Sequence, residues 1–299
     1  MLFRSSDLRL FEYLQLRVEY RYDRSNATAG FFYRGAAIHD GAIGSIDDPL
    51  TRYLPALAGS AYEDVTLRHV MTMSSGVRWT EVYPDRNSDV NRYSKSLADK
   101  VPDGVLKLMA SLPRAHPPGS TFLYNSGDTY LLGAALTQAV GKPLADYMSE
   151  KVWQPAGMEC DAFYTVESEG GQEIGGSRAG MVLRDFGRFG QFVLDDGVIA
   201  GKRVLAEGWV DAAATAAFAV PTPPVQDITH YGYSWWLGDG VMAALGHAGQ
   251  RIDIFRKERL VVVTLAAFPQ PPYVPATDHD RRNEVVTFTN AVRRIGAAS

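Results

Sequence analysis

The sequence predicts an α/β domain of the α+β kind, in which a sheet built from both ends of the chain encloses a helical lobe. Three observations carry this reading. Residues Leu14 to Tyr22 (LQLRVEYRY) alternate apolar or aromatic with polar side chains, the pattern of a half-buried strand. The middle of the chain, from Val65 to Val152, places apolar residues at helical spacing between Gly and Pro stops. Beyond Tyr231 the text changes to short β-rich runs separated by Gly-rich or charged turns.

In chain order, a short helix is expected from Ala36 to the stop at Asp40-Gly41. A loop through Asp47-Asp48-Pro49 follows, then a second short helix ending at Tyr53 before Leu54-Pro55. Val65 to Met73 reads as a helix capped by Thr66 and stopped at Ser75-Gly76. Trp79 to Lys100 is polar and longer than an ordinary connection, the profile of either a binding loop or a solvated insertion. Asp103 to Ser111, Thr129 to Val140 and Leu144 to Val152 read as helices, the second ending at Gly141. Tyr231 to Leu237, Arg251 to Phe255 and Leu260 to Ala266 read as strands, and Asn283 to Ile295 as a closing amphipathic helix.

The 299 residues are 46% hydrophobic and 21% charged, enough to bury a sizeable core. The net charge of −4 is spread without a basic stripe, so nucleic acid is not an expected partner. No apolar run approaches the roughly 18 to 20 residues of a membrane helix, and the start MLFRSSDLRLFEYLQL is too interrupted by charge for a signal peptide. The chain as written is therefore expected in the cytoplasm, or in the periplasm or outside the cell if its true beginning is absent. Cys160, the single cysteine, stands between acidic neighbours and reads as structural. The six histidines, at 39, 69, 116, 230, 247 and 279, show no ligand spacing, so neither metal nor cofactor is expected.

Three stretches could carry chemistry. Tyr124-Asn125-Ser126 places a phenol and a hydroxyl two residues apart just ahead of a helix start, where both can face one cleft. Gly246-His247-Ala248-Gly249-Gln250 precedes a strand, and its small residues admit a close substrate while His247 offers a titratable donor. Met71 to Gly76 (MTMSSG) is the third. Taken singly, each also reads as ordinary structure: a turn and cap, a turn histidine, and a helix stop.

Joined in order with IDDPLTRYLPAL (Ile46 to Leu57), VTLRHVMTMSSGVRW (Val65 to Trp79), PPGSTFLYNSGDTYLLGAAL (Pro117 to Leu136), VWQPAGME (Val152 to Glu159) and RDFGRFGQFVLDDG (Arg184 to Gly197), they are much more specific. The chain resembles the serine hydrolases of the β-lactamase and penicillin-binding-protein type over roughly nine tenths of its length, most of all the 6-aminohexanoate-dimer hydrolases and related esterases. The resemblance implies a β-lactamase/transpeptidase-like fold with a mainly antiparallel sheet, helices flanking it, and a cleft where sheet and lobe meet. It implies a hydrolase domain over residues 35–299, with the lobe at roughly 65–215, after an atypical segment 1–34 holding one strand. Tyr124 takes the place of the tyrosine base or proton shuttle, and Ser126 that of the third member of Tyr-x-Ser/Asn. His247, Ala248 and Gly249 fall at the Lys-Thr-Gly or His-x-Gly position on an edge strand. The backbone N–H of Gln250 falls at an oxyanion donor. Tyr83, Asn125 and Ala248 are then expected to contact a small amide, ester or peptide substrate.

The family acylates the serine of Ser-x-x-Lys, and no serine in this chain has lysine three residues on. Arg24-Ser25-Asn26-Ala27-Thr28 stands where the motif belongs, which makes Ser25 the candidate nucleophile, without the amine. A shortened or altered N-terminal part, joined near residue 34 to an ordinary hydrolase, is the corresponding expectation. Two functions follow: a hydrolase of amides or esters working through an acyl-enzyme, or an inactive relative that binds such molecules in the same cleft. A chain that merely folds is a third reading. The oligomeric state is not expressed in the sequence.

Overall fold

The computed structural model describes residues 2–4, 35–177, 179–222, 224–266 and 277–298. Its strands are Leu2–Arg4 (β1), Phe163–Tyr164 (β2), Ala179–Gly180 (β3), Val198–Ile199 (β4), Lys202–Arg203 (β5), Phe218–Ala219 (β6), Ile228–Tyr231 (β7), Trp236–Gly238 (β8), Met242–Leu245 (β9), Arg251–Phe255 (β10) and Leu260–Thr264 (β11). The helices are residues 35–39 (α1), Leu67–Met71 (α2), Asp89–Ala98 (α3), Gly104–Ser111 (α4), Ser126–Val140 (α5), Leu144–Met148 (α6), Leu183–Leu194 (α7), Trp209–Ala213 (α8) and Thr277–Ala298 (α9).

Seven strands form one sheet in the order β1-β11-β10-β9-β8-β7-β6, every pairing antiparallel. β10 is buried along its whole length because alternate side chains serve two cores. Ile252 and Ile254 face the lobe with Val261 and Val263, and α7 lies across them. Phe255, Leu260 and Val262 face the other way, against Val286 and Val292 of α9. α7 approaches closely at Gly190, where an added Cβ would sit 2.5 Å from Val261 Cγ1.

The lobe is organised around α5, whose residues from Gly127 to Leu136 are all buried. A helix apolar on every side belongs in a core, and α2, α3, α4 and α6 pack around it. Asn125 caps it by accepting from the backbone N–H groups of Gly127 and Asp128, and Gly141, at φ +65°, closes it in the left-handed conformation. α2 carries the expected Thr66 cap, with the His69 ring completing a reciprocal capping box.

Helix and antiparallel strand combine as the sequence predicts, with local corrections. The strand expected at Leu14 to Tyr22 lies outside the described residues. The stretch 79–100 is not all loop: α3 forms there because Val90, Tyr93 and Leu97 make a buried stripe. α5 begins at Ser126 rather than Thr129, since the Asn125 side chain supplies the cap. Leu144 to Val152 splits into α6 and a π-turn over Ser149–Trp153. The run Tyr231 to Leu237 is not one strand: Tyr231 ends β7, residues 232–235 turn with Ser234 at φ +58°, and Trp236 and Leu237 begin β8. Cys160, read as structural, is exposed. Among the described residues no helix is long and apolar enough to cross a membrane.

Candidate active site

Tyr124 and Ser126 flank the Asn125 cap at the start of α5. Aromatic packing positions Tyr124: its ring stacks on Trp236 of β8, with centroids 5.3 Å apart, and meets Tyr231 edge-on at 6.4 Å. Behind the cap, buried Tyr62 donates to Asp128 Oδ1 at 2.6 Å. Burial pushes the Asp128 carboxyl up to about 7, against the Tyr62 and Ser75 hydroxyls, which favour its ionised form.

Ser126 belongs to a second group. Its hydroxyl donates to Glu81 Oε1 at 2.8 Å and its backbone N–H to Glu81 Oε2 at 3.1 Å. The same carboxylate accepts from Trp79 Nε1 at 2.7 Å and from the Tyr83 hydroxyl at 2.9 Å. Four donors therefore occupy the roughly four lone-pair positions of one carboxylate. Among the described residues none of them is a cation, and burial raises the Glu81 pKa while these hydrogen bonds hold it down. The Tyr83 ring continues the group to His247, with centroids 6.1 Å apart.

His247, Ala248 and Gly249 form a single 3₁₀ turn joining β9 to β10, closed by Gly246 N–H donating to Gln250 O at 2.7 Å. The edge-strand placement does not hold: β10 runs between β11 and β9 in the interior of the sheet, because β6, β7 and β8 extend the sheet beyond β9. His247 is exposed, whereas Gln250 is buried and its side chain donates to Ala266 O, away from the turn.

The structure thus brings Ser126, Tyr83 and His247 together and places Tyr124 on the adjoining aromatic wall. Asn125 is buried and caps the helix start through its Oδ1. Ser25 lies outside the described residues. Sequence reasoning missed Glu81, the centre of the group, and Trp236. The signal for Glu81 was present in Trp79-x-Glu81-x-Tyr83, whose alternate positions share a face in an extended chain. Among the described residues no three His, Cys, Asp or Glu side chains gather as a metal-binding group.

Residues 36–286 match the Beta-lactamase family. The chain belongs to that family. It is 28% identical over 256 residues to the 6-aminohexanoate-dimer hydrolase of Paenarthrobacter ureafaciens, covering 79% of this chain and 63% of that one. It is 33% identical over 133 residues to esterase EstB of Burkholderia gladioli, covering 42% of this chain and 33% of the esterase. The chain therefore spans less than two thirds of the length of either relative. A solved structure from Bacillus anthracis, provisionally named a 6-aminohexanoate-dimer hydrolase, superposes with a TM-score of 0.75 at 26% identity, covering 94% of this chain and 75% of that one. The penicillin-binding protein of Bacillus halodurans shares the fold, with a TM-score of 0.68 at 18% identity, covering 90% of this chain and 86% of that one. The β-lactamase/transpeptidase-like fold and the relationship to 6-aminohexanoate-dimer hydrolases that the sequence implies are both present.

Proposed function

We propose that this Beta-lactamase family chain is a serine hydrolase that cleaves amides or esters through an acyl-enzyme. The observation that carries the reading is the group Ser126, Glu81 and Tyr83 beside His247, at the start of the helix that directly follows Tyr124. In this scheme a serine hydroxyl, with Ser25 as the candidate, attacks the substrate carbonyl as its proton passes to Tyr124 and the phenol's own proton passes on to the leaving group. The Gln250 backbone N–H steadies the oxyanion, the leaving group departs with the proton from Tyr124 beside Ser126, and water then releases the acyl group. Tyr83, Asn125 and Ala248 are the proposed substrate contacts, with Asn125 acting through the backbone it holds.

A second reading is an inactive relative that binds a small amide, ester or peptide in the same cleft. It is supported by the lack of lysine three residues after any serine in the chain. Intact-mass spectrometry after incubation with a fluorophosphonate and, separately, a penicillin distinguishes the two. A stoichiometric adduct that disappears in Ser25→Ala supports the hydrolase with Ser25 as nucleophile. An adduct that survives Ser25→Ala but not Ser126→Ala moves the nucleophile to Ser126. No adduct, together with ligand-dependent thermal stabilisation, supports the binding relative.

A further inference from the structure

We infer that Met73 is a positioning residue for Tyr124, holding the chain on both sides of the phenol through one backbone oxygen and one side-chain sulfur. The inference rests on the proposal that Tyr124 carries the proton in the reaction. Of the three stretches that stand out in the sequence, the MTMSSG turn after α2 is the one that scheme leaves idle. Leu123 N–H donates to Met73 O at 2.7 Å, and Asn125 N–H to Met73 Sδ at 3.4 Å. Asn125 is extended, and in an extended stretch the N–H groups of residues i and i+2 point the same way. A single residue therefore takes the two that bracket Tyr124. Asn125 is buried, where an N–H without an acceptor is costly, and the sulfur is the acceptor it meets among the described residues. Met71 O accepts from Ser234 N–H at 2.8 Å, two residues before Trp236. The same turn thus spaces the phenol from the indole on which it stacks.

The backbone at this position isolates what the side chain contributes. Met73 sits at φ +55°, in the left-handed region where glycine is at ease and a residue with a Cβ is not. The turn enforces it: Met73 N–H donates to Val70 O at 3.2 Å, Ser74 N–H to His69 O at 2.8 Å and Gly119 N–H to Ser74 O at 2.8 Å. A glycine would make the same backbone bonds without strain and would keep the carbonyl for Leu123. What methionine adds is a fully buried thioether that reaches the Asn125 N–H from a cluster with Val220 and Tyr231, against which Tyr124 and Trp236 pack. A thioether is apolar and a weak acceptor at once. It can receive a backbone N–H inside an aromatic wall without bringing a polar group that needs partners of its own.

The test compares the full-length wild type with Met73→Leu, which keeps the bulk and the backbone strain but lacks the acceptor, and with Met73→Gly, which lacks it and relieves the strain. Val220→Ala is the packing control, because it thins the same cluster and touches neither bond. Amide hydrogen exchange is followed in ¹⁵N-labelled protein, the Tyr124 ring signal in 3-fluorotyrosine-labelled protein with Tyr124→Phe for assignment, and fluorophosphonate labelling by its kinetics. In Met73→Leu, exchange at Asn125 should rise about 10-fold while Leu123 stays close to the wild type, and the Tyr124 signal should shift or broaden. The limiting rate of labelling should fall about 10-fold with the half-saturating reagent concentration unchanged, the mark of a misplaced phenol rather than a damaged binding surface. Val220→Ala should leave Asn125 exchange and the labelling rate near the wild type. Asn125 exchange, the Tyr124 signal or the labelling rate unchanged in whichever Met73 variant folds overturns the inference, as does a Val220→Ala protein that matches Met73→Leu in every readout. A wild type that fluorophosphonate does not label removes the hydrolase reading, and the exchange and ring-signal measurements then decide the positioning by themselves.

Discussion

Tyr62 donates its phenolic hydrogen to Asp128 Oδ1 at 2.6 Å, and both side chains are sealed from solvent behind the start of α5. A carboxyl so placed holds its proton to about pH 7, whereas in the unfolded chain it loses the proton near its ordinary value of 3.8. Between those values the folded state binds more protons, so stability falls as pH rises through this window, by at most about 4 kcal/mol. Asp128→Asn keeps an acceptor for Tyr62 and removes the titration. Urea unfolding from pH 4 to pH 8 should show the decline in the wild type and a flatter profile in the variant; equal slopes would contradict it.

Arg251 lies buried between Asp227 and Asp253, donating from Nε to Asp253 Oδ1 at 2.6 Å. Arg251→Met leaves two carboxylates facing each other without a cation and should cost about 3 to 5 kcal/mol. Asp253→Asn still accepts from Nε and should cost clearly less. Chemical denaturation of both variants measures the difference.

Gly190 is where α7 touches the sheet. Alanine is the better helix former, yet its Cβ would lie 2.5 Å from Val261 Cγ1 and 3.2 Å from Ile252 Cγ2. Gly190→Ala is expected to destabilise by about 1 to 3 kcal/mol, as overpacking does. A rise in thermal midpoint would show that α7 can move away at little cost.

Trp236 is the surface on which Tyr124 lies. If Tyr124 serves proton transfer, Trp236→Ala should slow fluorophosphonate labelling about 10- to 100-fold by misplacing the phenol. Trp236→Phe, which keeps a flat face, should recover most of the rate. Unchanged labelling in a folded Trp236→Ala protein would place Tyr124 outside the chemistry.

What the sequence determined by itself is what local pattern encodes. The β-branched runs of β10 and β11, the Thr66 cap of α2, the Gly141 stop of α5 and the Tyr124-x-Ser126 spacing are legible because each depends on neighbours along the chain. Less was legible where pattern and composition disagreed. The stripe Val90, Tyr93 and Leu97 was present, but the polar residues around it read as loop, and the alanines of β9 carry little strand signal. Tertiary structure alone decided that β10 is interior to the sheet, that Tyr83 reaches His247, and that Glu81 meets Ser126 across 45 positions of sequence. The physical reason is that a carboxylate's behaviour depends on its burial and on the donors brought to it from distant segments, and no local run of residues specifies that.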